Sequence, residues 1–314
     1  MEYKEFLQVI RDELRKIVPT SYKVMLSTVI KNNDNKLAAL SILPTGGTVA
    51  PNIYLNQYYD EYLSGRELSS IVQSILKQYK DSKKRERESI PDISDFNSIA
   101  DLITYRLVNW NMNLDRLRKL PYKDIEDLVV IYYLVVKCDS SGIESIAITD
   151  ELLEKWNVSV DEIDKHASKN TQILFPAYIR GMKEVINELV CNGMPDKDIN
   201  DLSQDDYGEF MNMFNANQKT EDLNILTNDK SIYGASSLLY PNVLHDFAVS
   251  VNTNIYILPS SVHECILVPD NGRMNKEVLK EMVKEVNCSQ VSAEEVLSNE
   301  IYYYNRFTDE FHIA

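Results

Sequence analysis

The segment Pro259–Glu264, with the sequence PSSVHE, places two hydroxyls, an imidazole and a carboxylate between two short apolar runs. These are the groups of a nucleophilic hydrolase, in which Ser260 or Ser261 would attack, His263 would take the proton and Glu264 would orient the imidazole. Neighbouring residues of an extended chain point to opposite faces, which argues against His263 and Glu264 acting together. No G-x-S-x-G turn exposes either serine. We therefore expect a hairpin connection, with a hydrolase as the alternative.

A second polar segment spans residues 228–237. Four of its residues are candidates for ligand binding: Asn228, Asp229, Lys230 and Tyr233. Gly234 would allow a ligand to approach the backbone closely. A turn followed by a helix start, with Ser231 as the cap, explains the same residues without a ligand. If segments 228–237 and 259–264 converge, a ligand site gains support; if they lie apart, both segments are structural.

Metal and nucleotide sites are not expected. The chain has 4 histidines, with neither an H-x-x-x-H nor an H-E-x-x-H pattern. His245 and Asp246 are adjacent on a predicted helix and therefore diverge. With 9 glycines in 314 residues there is no G-x-G-x-x-G and no phosphate-binding P-loop pattern. We expect no cofactor.

Charge and composition limit the partners and the compartment. The 33 Lys and Arg residues against 48 Asp and Glu residues give a net charge of −15, which repels nucleic acid and anionic lipid. The longest apolar run, Leu128–Val136, is far shorter than the roughly 20 residues that cross a bilayer. The amino end lacks an apolar signal core and the cysteines are widely spaced. We expect a cytoplasmic protein without membrane association.

Apolar periodicity predicts an α+β fold, with antiparallel or mixed sheets and clustered helices, in two units. Residues 1–85 form the first unit (helix, three-strand meander, helices), and residues 91–314 form the second. The charged stretch at 81–90 is the expected linker, although residues 77–87 could instead be a basic strip that binds nucleic acid. Residues 192–222 are polar and are expected to form a surface excursion.

The second unit carries most of the individual predictions. We expect a helix capped by Ser94 and continuing to Leu107, and a central strand at Leu128–Val136 buried on both faces. Further predicted elements are a helix at 160–168 capped by Ser159, helical structure at 177–190, a strand at Leu223–Leu226, a helix at Pro241–Val251, a strand pair at 255–258 and 265–268, a helix at 276–286 and a closing hairpin at 301–313.

Several groups of residues resemble an uncharacterised bacterial family that is catalogued as a domain of unknown function. They are Pro51-x-Ile53-Tyr54-Leu55-Asn56 followed by Tyr59, Tyr62, Gly65, Leu68 and Ile71; Trp156-x-Val158 with Asp161-Glu162; Leu226-Thr227-Asn228 leading to Tyr233-Gly234-Ala235; the segment 257–264; and Glu294–Ser298 leading to Tyr302–Tyr304. The resemblance implies an origin chiefly in gut-dwelling Gram-positive anaerobes. The carboxyl half is also distantly similar to a second uncharacterised bacterial family. Neither resemblance implies an activity or a catalytic residue.

Three functions are compatible with the sequence. The first is a non-enzymatic binding or regulatory protein that acts through protein–protein contacts, indicated by strong acidity and by tyrosine clusters at 54–62, 132–133 and 302–304. The second is a hydrolase or small-ligand-binding protein centred on the 259–264 loop. The third is nucleic-acid binding through 77–87, which the net charge disfavours. Whether the chain is an enzyme, and its oligomeric state, are left open by the sequence.

Overall fold

The computed structural model divides the chain into two compact units, Met1–Ile93 and Ser94–Ala314. All strand pairs of the three sheets are antiparallel, so the predicted α+β class is confirmed for the part of the chain described. The predicted excursion at 192–222 lies outside the described residues. The structure describes residues 1–45, 51–85, 93–139, 142–191, 223–272 and 275–314.

The first unit packs three helices on a three-stranded sheet in the order β1-β2-β3. Its strands are β1 (Tyr22–Ile30), β2 (Lys36–Pro44) and β3 (Ile53–Tyr54), and its helices are α1 (Tyr3–Ile17), α2 (Asn56–Leu63) and α3 (Leu68–Arg85). The apolar stripe of α1 buries Phe6, Ile10 and Leu14 in the core of this unit. Because burial at this spacing selects one helix face, the sequence pattern was sufficient to predict α1.

The first sheet of the second unit is built around one long strand. Its members are β4 (Ile103–Asn109), β5 (Tyr122–Ile125), β6 (Leu128–Asp139) and β7 (Gly142–Ala147), and all three other strands pair with β6. Eight consecutive residues at the start of β6 are buried. The predicted central strand is therefore confirmed. Short helices α4 (Phe96–Ile99) and α5 (Leu114–Leu117) flank β4.

The predicted helix from Ser94 to Leu107 is wrong beyond its first turn. Asp95 caps α4 by accepting a hydrogen bond from the backbone N–H of Asn97 (3.1 Å), and from Ile103 onward the chain is strand β4. All seven residues of β4 are buried and pair with β6. A strand covered on both faces loses the polar–apolar alternation that distinguishes it from a buried helix.

The edge of β4 that does not pair with β6 is covered by side-chain hydroxyl groups, which accept hydrogen bonds from its backbone. Helix α6 (Asp150–Trp156) leads to α7 (Val160–Leu174), which supplies Thr171, and a short 3-10 helix at Gly234–Leu239 supplies Ser236. The N–H of Tyr105 donates to Thr171 Oγ1 (3.0 Å), and the N–H of Leu107 donates to Ser236 Oγ (3.2 Å). Two backbone donors at this sheet edge are thus satisfied by side chains.

The second sheet has the strand order β13-β12-β10-β11-β9-β8. Its strands are β8 (Ala177–Gly181), β9 (Asn224–Asn228), β10 (Ile255–Pro259), β11 (Cys265–Pro269), β12 (Tyr302–Asn305) and β13 (Glu310–Ile313). The predicted strand pair around the 259–264 loop and the closing hairpin are confirmed. Helices α8 (Met182–Cys191), α9 (Val243–Ser250) and α10 (Lys276–Ser289) accompany it.

Two helix predictions near this sheet need correction. The region 177–190 begins as strand β8, paired with β9, and becomes helical only at Met182. Pro241 precedes α9 instead of lying in its first turn, because Asn242 in a left-handed conformation is the residue before the helix. Among the described helices, none is both long and apolar enough to cross a bilayer.

Candidate functional site

The two polar segments that the sequence analysis singled out are in direct contact. The backbone N–H of Tyr233 donates to Nδ1 of His263 (3.1 Å). The hydroxyl of Thr227 donates to the carbonyl of His263 (2.8 Å), and the N–H of Ala235 donates to the carbonyl of Val262 (3.3 Å). Segments 228–237 and 259–264 therefore converge, which is the condition set for a ligand site.

Gly234 makes this convergence possible. A Cβ atom at this position would lie 2.5 Å from the carbonyl oxygen of His263 and 2.7 Å from the backbone nitrogen of Asn228. No side chain fits there without displacing backbone. Tyr233 immediately precedes it in a left-handed conformation (φ 53°), which turns the tyrosine ring toward His263. The space beside Gly234, which was expected to admit a ligand, is thus occupied by the backbone of His263 and Asn228.

The four ligand candidates of 228–237 have different roles. Asn228 forms the turn, since its Oδ1 accepts from the N–H of Lys230 (3.0 Å) and its Nδ2 donates to the carbonyl of Ile232 (2.8 Å). Asp229 and Lys230 pair with each other at 3.3 Å on the exposed surface. Of these four residues, Tyr233 is the one that contacts His263, both through its backbone N–H and through its ring. The predicted Ser231 cap is wrong, because Tyr233 precedes the 3-10 helix.

His263 is held at both ring nitrogens. Because Nδ1 accepts the hydrogen bond from Tyr233, the proton of the neutral ring is assigned to Nε2. Nε2 lies 3.4 Å from Oε1 of Glu295. The hydrogen bond from His263 is the main cause that lowers the pKa of Glu295 below its ordinary value. The spacing Ser292-x-x-Glu295 fits a helix-capping box, but this segment forms a turn in the structure, and Glu295 contacts the imidazole of His263.

The serines of the 259–264 loop do not join His263 in a triad. Ser261 shapes the loop, because its Oγ accepts from the N–H of His263 (3.0 Å) and its N–H donates to the carbonyl of Glu264 (3.2 Å). Burial raises the pKa of Glu264, and a hydrogen bond with Ser260 opposes that rise. Within the described part of the chain, the His263 ring has no hydrogen bond with either serine hydroxyl. Nucleophile, base and orienting carboxylate are thus not assembled.

On its other side, Tyr233 contacts a buried arginine that the sequence analysis did not identify. The guanidinium carbon of Arg106 lies 3.7 Å from the ring centroid of Tyr233 and 3.8 Å from that of Tyr133. The Tyr233 and His263 rings are 5.4 Å apart. At the far end, Arg116 donates a hydrogen bond to the hydroxyl of Tyr133. We call this run of alternating rings and charged groups the stack; it comprises Arg116, Tyr133, Arg106, Tyr233, His263 and Glu295.

Arg106 is unusual within the stack because its charge has no opposite partner among the described residues. The side chain is 9% exposed. Within the described residues its guanidinium makes one hydrogen bond, to Ser145 Oγ (2.6 Å), although a guanidinium has five N–H donors. Two aromatic faces stabilise a cation by about 0.5–2 kcal/mol each, but they do not accept its N–H groups as a carboxylate would. The remaining donors are therefore available to an anion.

A small cavity adjoins Arg106. Its volume is about 10 Å³, measured as the space open to the centre of a water molecule, and that is close to the minimum for one water. An oxygen of an anionic group would fit into such a space. The cavity is lined by Thr104, Tyr105, Arg106, Val135, Ile143, Thr171, Phe175, Asn228, Ile232, Tyr233 and Tyr240.

A second polar group of this unit, Asp127, is fully bonded. Its Oδ1 accepts from the hydroxyl of Tyr302 (2.6 Å), and its Oδ2 accepts from Ser298 Oγ (2.6 Å) and Asn109 Nδ2 (3.1 Å). Burial and the neighbouring carboxylate raise the pKa of Tyr302. These bonds join β4, the start of β6 and β12, so Asp127 has a structural role.

Metal binding has no candidate in the described residues, where no three His, Cys, Asp or Glu side chains cluster suitably. The comparison with curated proteins found no match, and neither did the comparison with solved structures. A family model covers nearly the whole sequence, from residue 3 to residue 306. The chain belongs to that family, DUF5688, a family of unknown function.

Proposed function

We propose that the chain is a binding protein for a small carboxylate-bearing ligand, which it holds at Arg106. The observation that supports this proposal is a buried guanidinium that borders a cavity and has no carboxylate partner in the described residues. Buried charges in proteins are generally paired, because desolvation of an isolated ion is costly. A ligand anion would supply the missing partner.

The chemistry of the site favours a carboxylate over other anions. A guanidinium presents parallel N–H groups that match the two oxygens of a carboxylate. The cavity beside Arg106 admits about one oxygen, and among the described residues that line it Arg106 is the charged one. Phosphate carries more charge at neutral pH and commonly binds several donors at once. We therefore expect phosphate to bind more weakly.

The surrounding charge explains why such a site needs a buried cation. With a net charge of −15, the protein repels anions over most of its surface. A guanidinium held in a low-dielectric position interacts with a ligand more strongly than an exposed one would. Glu295 ends the stack and is separated from Arg106 by the rings of Tyr233 and His263, so it does not neutralise the site.

Isothermal titration of the full chain tests the proposal. Acetate and succinate are the carboxylate probes, and inorganic phosphate is the comparison anion. We expect Arg106→Gln to weaken carboxylate binding at least tenfold. Arg118→Gln is the matched control, since Arg118 is a highly exposed arginine paired with Asp115 at 3.6 Å. Absence of binding in the wild type, or equal binding in both variants, would refute the proposal.

A protein partner is the second candidate function. Trp110 and Leu114, four residues apart, are 39% and 45% exposed, and tryptophan is enriched where proteins bind one another. The tyrosine clusters give less support, because Tyr58, Tyr132, Tyr133, Tyr302 and Tyr304 are buried. A complex recovered from native lysate with the wild type, and lost with Trp110→Ala, would favour this role.

Origin and location belong to the same proposal. We infer a bacterial, cytoplasmic protein from gut-dwelling Gram-positive anaerobes, with a carboxyl half related to a second uncharacterised family, on the basis of the sequence resemblances. The bonding of His263 supports the non-enzymatic interpretation over a hydrolase at Ser260 or Ser261, because the ring engages Tyr233 and Glu295 and neither serine hydroxyl in the described residues.

A further inference from the structure

The sheet of the first unit ends at β1, which is the longest edge strand in the described part of the chain. It has 9 residues, whereas the two edges of the six-stranded sheet, β8 and β13, have 5 and 4. The next longest edge strand, β4, is covered by the hydroxyls of Thr171 and Ser236. Natural proteins keep strand edges short or cover them, because an open edge pairs readily with another strand.

The hydrogen bonds at the ends of β1 show which of its backbone groups point outward. β1 pairs with β2 in one unbroken register along its whole length. At one end the carbonyl of Ser21 accepts from the N–H of Thr45 (2.7 Å), and at the other the N–H of Lys31 donates to the carbonyl of Asn35 (2.8 Å). Bonded residues alternate along an antiparallel pair. The odd-numbered residues of β1 therefore bond to β2, and the even-numbered residues direct their N–H and C=O groups away from it.

The outward groups in the middle of β1 have no partner among the described residues. The N–H groups of Val24, Leu26 and Thr28 and the carbonyls of Leu26 and Thr28 make no hydrogen bond with any of them. The carbonyl of Val24 accepts one long hydrogen bond from Arg15 (3.4 Å). The side chain of Thr28 is exposed. This edge therefore presents donors and acceptors at alternate positions, as an incoming strand requires.

We infer that β1 is a self-association surface, at which β1 of a second copy of this chain pairs antiparallel and joins the two three-stranded sheets into one. The outward groups belong to even-numbered residues in both copies, so an even-numbered residue must lie on the two-fold axis. A register centred on Leu26 places Leu26 opposite its counterpart and Val24 opposite Thr28 of the second copy. Both copies then contribute the same groups, as a two-fold symmetric interface requires.

The charges of β1 favour a second copy over a different partner. The strand contains one lysine, Lys23, and no acidic residue, although the chain as a whole has a net charge of −15. A basic partner would find no carboxylate on this strand. In the two-fold register Lys23 lies opposite Val29 of the second copy, so the two lysines are about 20 Å apart, beyond the screening length of about 10 Å. Lys31 is directed over the ring of Tyr54 in β3 (4.4 Å from Nζ to the ring centroid).

Met25 provides the main apolar contact of the paired strands. It is 49% exposed and lies on the same face of the sheet as Lys23. Across the two-fold axis its diagonal neighbour is Met25 of the second copy, at the roughly 7–8 Å separation that long side chains can bridge. One strand pair buries less area than a standard interface of about 1,600 Å². We therefore expect a reversible dimer with a dissociation constant in the micromolar range.

Sedimentation velocity of the full chain, from micromolar to several hundred micromolar concentrations, tests the inference. We expect the wild type to pass reversibly from monomer to dimer. Thr28→Pro removes an outward N–H but no bond to β2, and proline is tolerated at such edge positions. It should weaken the dimer by about tenfold or more. Thr28→Ala, which keeps the N–H, is the matched control and should associate like the wild type.

A second variant leaves the backbone unchanged. Met25→Lys places two ammonium groups diagonally across the two-fold axis and should also weaken the dimer by about tenfold or more. Val278→Lys adds the same charge at a 53% exposed position of α10 and should have no effect. Circular dichroism verifies the fold of each variant, and Met25→Lys decides if Thr28→Pro does not fold. A monomer at every concentration, or a dimer of wild-type affinity in the folded β1 variants, would overturn the inference.

Discussion

Arg106 and Asp127 are charged residues of the same sheet region, and they differ in how many hydrogen bonds their charged groups make. Asp127, at the start of β6, accepts three hydrogen bonds from the neutral groups of Asn109, Ser298 and Tyr302. Arg106, in the middle of β4, lies between two tyrosine rings, and its side chain makes one hydrogen bond to a described residue, Ser145. The carboxylate has hydrogen-bond partners at both oxygens, whereas the guanidinium keeps donors without a partner in the described part of the chain. Under the function proposed above, Asp127 is structural and Arg106 binds the ligand.

The largest effect on stability is expected when Asp127 is replaced. Asp127→Ala removes three hydrogen bonds to a charged acceptor. It leaves the buried hydroxyl of Tyr302 without its acceptor, while the Ser298 hydroxyl keeps only the hydrogen bond that it accepts from the N–H of Glu300 (2.9 Å). We expect the free energy of unfolding to fall by about 3 kcal/mol or more, measured by urea denaturation. Asp124→Ala, at an exposed position of β5, is the control and should change it by less than about 0.5 kcal/mol. A small loss with Asp127→Ala would remove the contrast with Arg106.

The second-largest effect on stability is expected at Gly234, the residue that follows Tyr233 and allows its ring to pack on Arg106. Gly234→Ala places a methyl group 2.5 Å from the carbonyl oxygen of His263, so the two segments must separate. We expect a loss of about 2–3 kcal/mol in stability, together with weaker carboxylate binding because Tyr233 leaves the guanidinium. Gly181→Ala meets its nearest neighbour at 3.9 Å and should be tolerated. Wild-type stability in Gly234→Ala would show that this approach is not required.

A smaller effect, which depends on pH, is expected at the partly buried carboxyl of Glu264. Burial raises the pKa of this carboxyl, so the folded state binds its proton more tightly than the unfolded state does. The wild type should therefore lose stability as the pH rises from the ordinary carboxyl range toward neutrality. Glu264→Gln, which cannot ionise, should have a higher melting temperature than the wild type at pH 7, and the difference should disappear near pH 3.5. An equal difference at both pH values would contradict this account.

The smallest effect on stability is expected at Arg106 itself. Replacing Arg106 by Met removes the desolvation cost of a guanidinium that has no ion pair in the described residues, and this gain offsets the lost contacts with the two tyrosine rings. Arg106→Met should therefore change the free energy of unfolding by less than about 1 kcal/mol while abolishing carboxylate binding. Thermal denaturation of the variant beside Asp127→Ala gives the direct comparison. If Arg106→Met costs as much as Asp127→Ala, Arg106 is a structural residue and the proposed function loses its basis.

Much of the fold could be predicted because local chemistry fixes it. The apolar run at Leu128–Val136 predicts the central strand, and Ser159 caps α7 as expected, with its Oγ accepting from the N–H of Glu162 (3.2 Å). Strands β4 and β8 were predicted as helix because their pairing with distant strands overrides local preference. No pattern within either segment encodes that pairing.

The site was less accessible to sequence reasoning. Tyr233 and His263 stood out as polar residues, but their contact depends on strand pairing between β9 and β11. Arg106 gave no signal, since arginine is ordinarily exposed and this one lies within the apolar segment ITYRLVN. Glu295 has no distinguishing pattern either, because the spacing Ser292-x-x-Glu295 fits a helix-capping box equally well.

The hydroxyl-closed edge of β4 also affects how the chain folds during synthesis. The hydroxyls of Thr171 and Ser236 lie 66 and 129 residues after the backbone groups that they satisfy. At about 5–20 residues per second, Ser236 leaves the ribosome on the order of ten seconds after Leu107. Throughout that interval β4 presents an open edge that another chain can pair with. Slow translation between these residues would therefore favour aggregation, and a chaperone that covers β4 would have most effect before Ser236 emerges.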